Sequence, residues 1–284
     1  MKKLLCLCLF LLSLTNILFA QNVKSYSFGK STFISLKDKD TEMGKSILLK
    51  PDAEIVKKIL GEGTAKGSIN AFILKTGDKT ILIDTGLGKS GDLLDALKNA
   101  KIEPIDIDTI LLTHMHGDHI GGLVDTDKKV FEKAIVYVNE KELDYWINGT
   151  PKNKGNADMV RKVKDVYGDN LKVFDWDTEI IPSIKAINAV GHTPGHTAFE
   201  LDFDGSDKLL VIGDLVHSLN VQMADPSMSV TFDVNPDEAA KTRIKIFEYV
   251  ASEKIKIAGM HIPFSGVGYI IKGDGNSYRF EPLE

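Results

Sequence analysis

Three histidines and an aspartate fall within six residues, His114-Met115-His116-Gly117-Asp118-His119, directly after the apolar run 110–112 and ahead of Gly121-Gly122. The end of a buried strand is where loops converge and active sites collect. Neutral imidazole and carboxylate together suit borderline divalent metals such as zinc. His114 and His116, two apart on an extended loop, can point the same way. Asp118 and His119 then enter a turn into a helix and can face a second ion beside the first. A lone histidine is better read as a surface or satisfied core residue. A cluster in this order arises by chance on the order of once in a few thousand chains of this composition, and it needs a scaffold that brings further donors to the same edge.

Those donors follow strands in the second half. His192 lies in Gly191-His192-Thr193-Pro194-Gly195-His196, after the strand pattern at 184–189. Asp214 sits in Gly213-Asp214 at the end of the apolar run 209–212, and His261 follows the run 256–258. Each candidate ligand stands just past a strand, so they are expected to converge on one edge.

The intervening pattern gives the layers. Runs at 71–74 and 80–83 flank Gly77-Asp78 as a hairpin, and Ser90 is expected to cap a helix with Leu93, Leu94, Leu97 and Ala100 on one stripe. Strands are expected at 109–112 and 134–138, then helices at 140–147 and 157–167. The second half repeats the theme, with strands at 184–189, 198–203 and 209–212. Asn235-Pro236 opens a helix whose Ala240, Ile244, Phe247 and Val250 share a face, and strands at 256–258, 267–271 and 276–280 close the chain. Two similar halves predict two sheets packed together with helices outside.

The first twenty residues read as a secretory signal peptide: Lys2 and Lys3, an apolar run over 4–19 and then Ala20. The run is shorter than a bilayer span and contains Ser13, Thr15 and Asn16, so stable membrane anchoring is not expected. Its removal takes Cys6 and Cys8, leaving no thiolate ligand, and changes 35 basic residues to 33 against 40 acidic ones, a net charge of −7. With no basic cluster to offset that balance, nucleic acid is disfavoured as a partner. Residues 21–284 are enough for a single large domain exported to the periplasm or medium.

Taken together, His-x-His-x-Asp-His, Gly-His-Thr-Pro-Gly-His, Gly-Asp, a late histidine and the upstream Ile81-Leu82-Ile83-Asp84-Thr85-Gly86 resemble the metallo-β-lactamase superfamily. The resemblance covers nearly all of residues 21–284. It implies an αββα four-layer sandwich with a metal site at one edge of the two sheets. It places one ion on His114, His116 and His192 and a second on Asp118, His119 and His261, with Asp214 bridging them. His196 becomes a support, and Asp84 either orients a ligand or is a strand-end turn residue. The implied cofactor is a pair of divalent ions, zinc first with manganese, iron or cobalt open. The implied reaction is hydrolysis by a metal-bridging hydroxide oriented by Asp118 or Asp214.

Within that superfamily, an aspartate at 214 speaks against a true β-lactamase. The segments 213–227 and 259–268 are similar to methyl parathion hydrolase and its lactonase-like relatives, departing from them at Ser265 and Tyr269. The resemblance therefore implies a small-molecule ester or lactone substrate, with phosphotriesters included in the class. His217 is expected on the substrate side as a hydrogen-bond or proton donor. Phe264 is a candidate pocket wall, and Tyr145 and Trp146 are more simply core residues. An iron-dependent persulfide dioxygenase and a non-catalytic metal-binding protein stand as alternatives, and a homodimer is left open.

Overall fold

The computed structural model describes residues 22–49, 51–203, 205 and 207–284, so the expected signal peptide at 1–20 lies outside the described residues. Fourteen strands form two seven-stranded sheets, and within each sheet neighbours in space are also neighbours in sequence. The first sheet runs β1 (Val23–Phe28), β2 (Ser31–Met43), β3 (Ala65–Thr76), β4 (Lys79–Ile83), β5 (Thr109–Leu111), β6 (Ile135–Asn139) and β7 (Leu171–Phe174). The second runs β8 (Glu179–Ile181), β9 (Ile184–Asn188), β10 (Thr197–Asp202), β11 (Lys208–Val211), β12 (Lys256–Ala258), β13 (Val267–Lys272) and β14 (Tyr278–Pro282). The helices are α1 (Ala53–Leu60), α2 (Leu93–Asn99), α3 (Gly117–Ile120), α4 (Glu140–Ile147), α5 (Lys154–Tyr167), α6 (Leu219–Ala224) and α7 (Pro236–Glu253).

Strand periodicity sorts the core into layers. Successive side chains point to opposite faces of a strand. Ile81, Ile83 and Leu111 accordingly pack between the sheets against Phe199, Leu209, Val211 and Val267. Their neighbours Leu82 and Ile110 face the other way, onto Leu97, Trp146, Val160 and Tyr167 of the first helical layer. On the second sheet Leu210, Ile212 and Ile257 face Ile246, Phe247 and Val250 of α7. The result is helix on sheet on sheet on helix, the expected αββα sandwich.

Hydrogen bonding changes from antiparallel to parallel at β4·β5 in the first sheet and at β11·β12 in the second. Parallel neighbours need a crossover, and the loops leaving their carboxyl ends lie at one edge. Those loops carry His114–His119, Asp214 and His261.

Several local expectations are corrected. Ser90 ends a 3-10 turn, and α2 begins after Asp92. Its buried side chains are Leu93, Ala96 and Leu97, while Leu94 is 54% exposed. Only the i, i+3, i+4 set faces the sheet, and Leu94 lies roughly 100° around from Leu93. In α7 the buried face is Ala239, Arg243, Ile246, Phe247 and Val250, with Ile244 turned outward. The early strands β1 and β2 and the helices α1 and α6 were not expected.

Candidate metal centre

Each cluster residue is placed by a strand end or by a cap just beyond one. Thr113 follows β5, and its N–H and hydroxyl donate to Asp84 at 2.8 and 2.7 Å. Asp84, just past β4, also accepts Nδ1 of His119 at 2.7 Å. Asp84 combines its two sequence readings: it is a strand-end residue with a φ of +59°, and its carboxylate holds the His119 ring. The Thr113 hydroxyl, already donating to Asp84, accepts the Nδ1 hydrogen of His114 at 3.0 Å. His192 Nδ1 pairs with Asp233 at 2.9 Å, and His261 Nδ1 with the Ser68 carbonyl at 3.3 Å. In all four rings an oxygen fixes the Nδ1–H tautomer and turns the Nε2 lone pair inward, as oxygen partners commonly do for metal-ligating histidines.

The inward atoms form two groups. His114, His116, His192 and Asp214 offer one donor atom each, all within 4.8 Å of one another; Asp118, His119 and His261 do the same. His114 Nε2 lies 3.0 Å from His116 Nδ1, which is 2.9 Å from His192 Nε2. Asp214 stands between the groups. Its Oδ1 is 3.2 Å from His119 Nε2, and its Oδ2 is 3.3 Å from His192 and 3.1 Å from His261. All seven residues expected as ligands are brought together.

The donors fit a pair of cations. Lone pairs of neutral imidazoles repel at such distances unless positive charge lies between them. His119 Nε2 and Asp214 Oδ1 are buried 3.2 Å apart, face each other without a well-formed hydrogen bond, and have no other hydrogen-bond partner. Burial would raise Asp214, but His119, His261 and His114 outweigh it and hold the carboxyl well below its usual range. Burial would lower His119 and His192, yet their carboxylate partners lift both, His192 to about 9. His114 is held well below its usual range and His116 down at about 3, by burial and then by neighbouring histidines. The carboxylates therefore attract positive charge into the cluster while two of its rings stay neutral and free to ligate.

His196 is excluded from the donor groups. Its Nδ1 donates to the Ala189 carbonyl at 2.7 Å, and its Nε2 accepts the Asp214 N–H at 2.9 Å. It fixes the backbone of Asp214 from behind. Gly213 is required there, because its φ is +56° and a Cβ would meet His196 Nε2 at 2.4 Å.

His217 is buried with Nε2 at 3.2 Å from Asp214 Oδ2, and its ring stacks on His261 with centroids 4.9 Å apart. It could also complete a donor group with Asp214 and His261. Burial lowers its pKa to about 4 against the pull of Asp214. Phe232, 48% exposed, lies with its ring 5.8 Å from His217. Trp146 is buried against His116 and donates Nε1–H to Glu142 at 2.7 Å, which fits the core reading. Phe264 is partly exposed, with the Lys37 ammonium 5.8 Å from its ring.

Sequence reasoning missed Asp233 and Glu142. Asp233 carries no motif and is recognisable only by its contact with His192. Glu142, in the first turn of a helix, passes in sequence for an ordinary helix-start acid.

A sequence profile of the metallo-β-lactamase superfamily matches residues 64–253. The chain belongs to this superfamily. Among its solved members, the chain is similar to the hydrolase AbOPH, with 32% identity and a TM-score of 0.84 over 93% of this chain and 98% of that one. It is also similar to AidC, a dizinc quorum-quenching lactonase, with 26% identity and a TM-score of 0.85 over the same shares of the two chains. An atrochrysone carboxyl ACP thioesterase of Passalora fulva is 26% identical over 164 residues, 57% of this chain and 43% of that protein. The match spans from 40% to 76% of the length of such curated relatives, 43% and 61% in two of them. The superfamily and the lactonase-like neighbours agree with the sequence resemblance.

Proposed function

We propose that the protein is an exported, two-metal hydrolase of ester-type bonds, with lactones and carboxylic esters ahead of phosphotriesters. The observation that carries the reading is the pair of donor groups meeting at Asp214, whose buried Oδ1 faces His119 Nε2 at 3.2 Å and whose Oδ2 faces His192 and His261. His114, His116 and His192 would hold one ion and Asp118, His119 and His261 the other, with Asp214 between. When bound, such ions acidify a water toward neutral pH and polarise the substrate oxygen.

The rest is done by the protein's own groups. Asp118 is the open carboxylate, its side chain 28% exposed against 3% for Asp214. Burial would raise Asp118, but His119 and His261 outweigh it and lower its pKa, so it stays an acceptor. It orients the attacking water by accepting its hydrogen bond, while Asp214 serves from inside the cluster. His217, buried beside Asp214, faces the substrate side, where it hydrogen-bonds the substrate or donates a proton to the leaving oxygen. Phe232 offers an apolar surface beside it.

Two neighbours support this substrate class: AidC is a dizinc lactonase and AbOPH a hydrolase of the same superfamily. The test is a panel of an acyl-homoserine lactone, an aryl carboxylic ester and a phosphotriester with metal-loaded protein. Turnover of the lactone or the carboxylic ester is expected. No rate above buffer on all three would refute the reading. Export is supported by the apolar run over 4–19 that follows Lys2 and Lys3. The secreted protein should begin at or near Gln21.

A further inference from the structure

Glu142 is fully buried and touches none of the inward donor atoms, yet its carboxylate ties together the two loops that supply three of them. Oε1 accepts the Met115 N–H at 2.9 Å, between His114 and His116, and the Trp146 Nε1–H at 2.7 Å. Oε2 accepts the Thr193 hydroxyl at 2.6 Å and the Gly195 N–H at 3.0 Å, on the loop that carries His192. Trp146 in turn lies edge-on to His116, with ring centroids 5.4 Å apart. Asn139 caps α4, which puts Glu142 at the third helical position. A glutamate there ordinarily reaches back to the cap backbone; this one turns inward. The fit is close on the other side too, since a Cβ at Gly195 would meet the Glu142 backbone nitrogen at 2.2 Å.

We propose that Glu142 is the positioning residue that sets the spacing of the His114/His116 loop against the His192 loop, and so the affinity of that group for its ion. The proposal rests on the metal-centre reading above. The second group, Asp118, His119 and His261, receives no hydrogen bond from it. A carboxylate is needed because all four partners donate. In Glu142→Gln the amide nitrogen must face one donor pair, so at least one backbone N–H between or beside ligands loses its acceptor.

The experiment is zinc titration of metal-free protein against a chromogenic chelator, which returns two dissociation constants, alongside the melting temperature of the metal-free protein. Glu142→Gln should weaken one constant about 10–100-fold, the usual scale for a residue that orients ligands from behind, and leave the other near its native value. Repeating the titration in Asp118→Ala, which disables the second group, should show the same loss at the remaining site. Thr193→Val removes only the hydroxyl donor and should weaken the same constant by less; it serves if Glu142→Gln does not fold. Two constants equal to native in either variant, or both weakened equally in step with melting temperature, overturn the proposal and leave Glu142 a packing residue. Native protein that binds no zinc would instead refute the metal-centre reading itself.

Discussion

Asp84 and His119 are joined by a 2.7 Å hydrogen bond between buried side chains, Asp84 just past β4 and His119 in α3, which follows the adjacent strand β5. Asp84 also accepts two donors from Thr113, so the shared hydrogen sits on His119 Nδ1 and the Nε2 lone pair is turned toward Asp118 and Asp214. Asp84→Asn keeps the shape but lets an amide face donors. Affinity for the ion at Asp118, His119 and His261 should fall about 10–100-fold in chelator competition. Native affinity in Asp84→Asn would show that the ring is held by packing alone.

His217 can be a substrate contact or a metal ligand, and one variant separates the roles. His217→Ala should keep two ions and lose roughly a hundredfold in rate on an alkyl lactone, a magnitude typical of a lost proton-handling contact. The loss should be smaller on an activated aryl ester, whose leaving group needs little help. Loss of an ion would assign His217 to the group with Asp214 and His261. Equal losses on both substrates would remove it from the leaving-group side.

Acid should weaken the fold through His196. Burial, and then His192, holds its pKa down at about 3 against an ordinary 6.5. A depressed histidine takes up its proton more readily when unfolded. Its contribution is therefore complete above about 6.5 and is lost as pH falls from there toward 3. His196→Gln keeps an acceptor for the Asp214 N–H and does not titrate. Denaturant melts of metal-free protein should show the variant less stable at pH 8, with a flatter decline between pH 6.5 and 4. Parallel curves for the two proteins would contradict this.

The sandwich depends on the layer between the sheets. Phe72 is buried there and stacks on Phe33, with centroids 5.2 Å apart. Phe72→Ala should destabilise the protein by about 3–5 kcal/mol, read from denaturant unfolding. A change below about 1 kcal/mol would mean that the layer collapses to fill the gap.

The ligands were legible because each follows a short, strongly apolar strand and falls in a compact motif. Ile81-Leu82-Ile83 and Leu209-Leu210-Val211-Ile212 are apolar on both faces, as strands covered on both sides must be. β2 was not legible, since Ser31, Thr32 and Ser35 interrupt the segment that buries Phe33 between the sheets and Ile34 and Leu36 under the helices, and charged residues fill the rest. Leu94 and Ile244 show the limit of apolar spacing, because the neighbouring sheet selects which of two overlapping stripes is buried. Glu142, Asp233 and Thr113 act through contacts across 27 to 53 residues of chain, which no local pattern records.

The account turns on Asp214 joining two donor groups, and the metal content of Asp214→Ala beside native protein tests that most directly. After equilibration with zinc, native protein should hold about two ions per chain. Asp214→Ala should hold at most one and lose most of its hydrolytic rate. Native protein with fewer than two ions, or Asp214→Ala that retains both at full rate, would contradict the account.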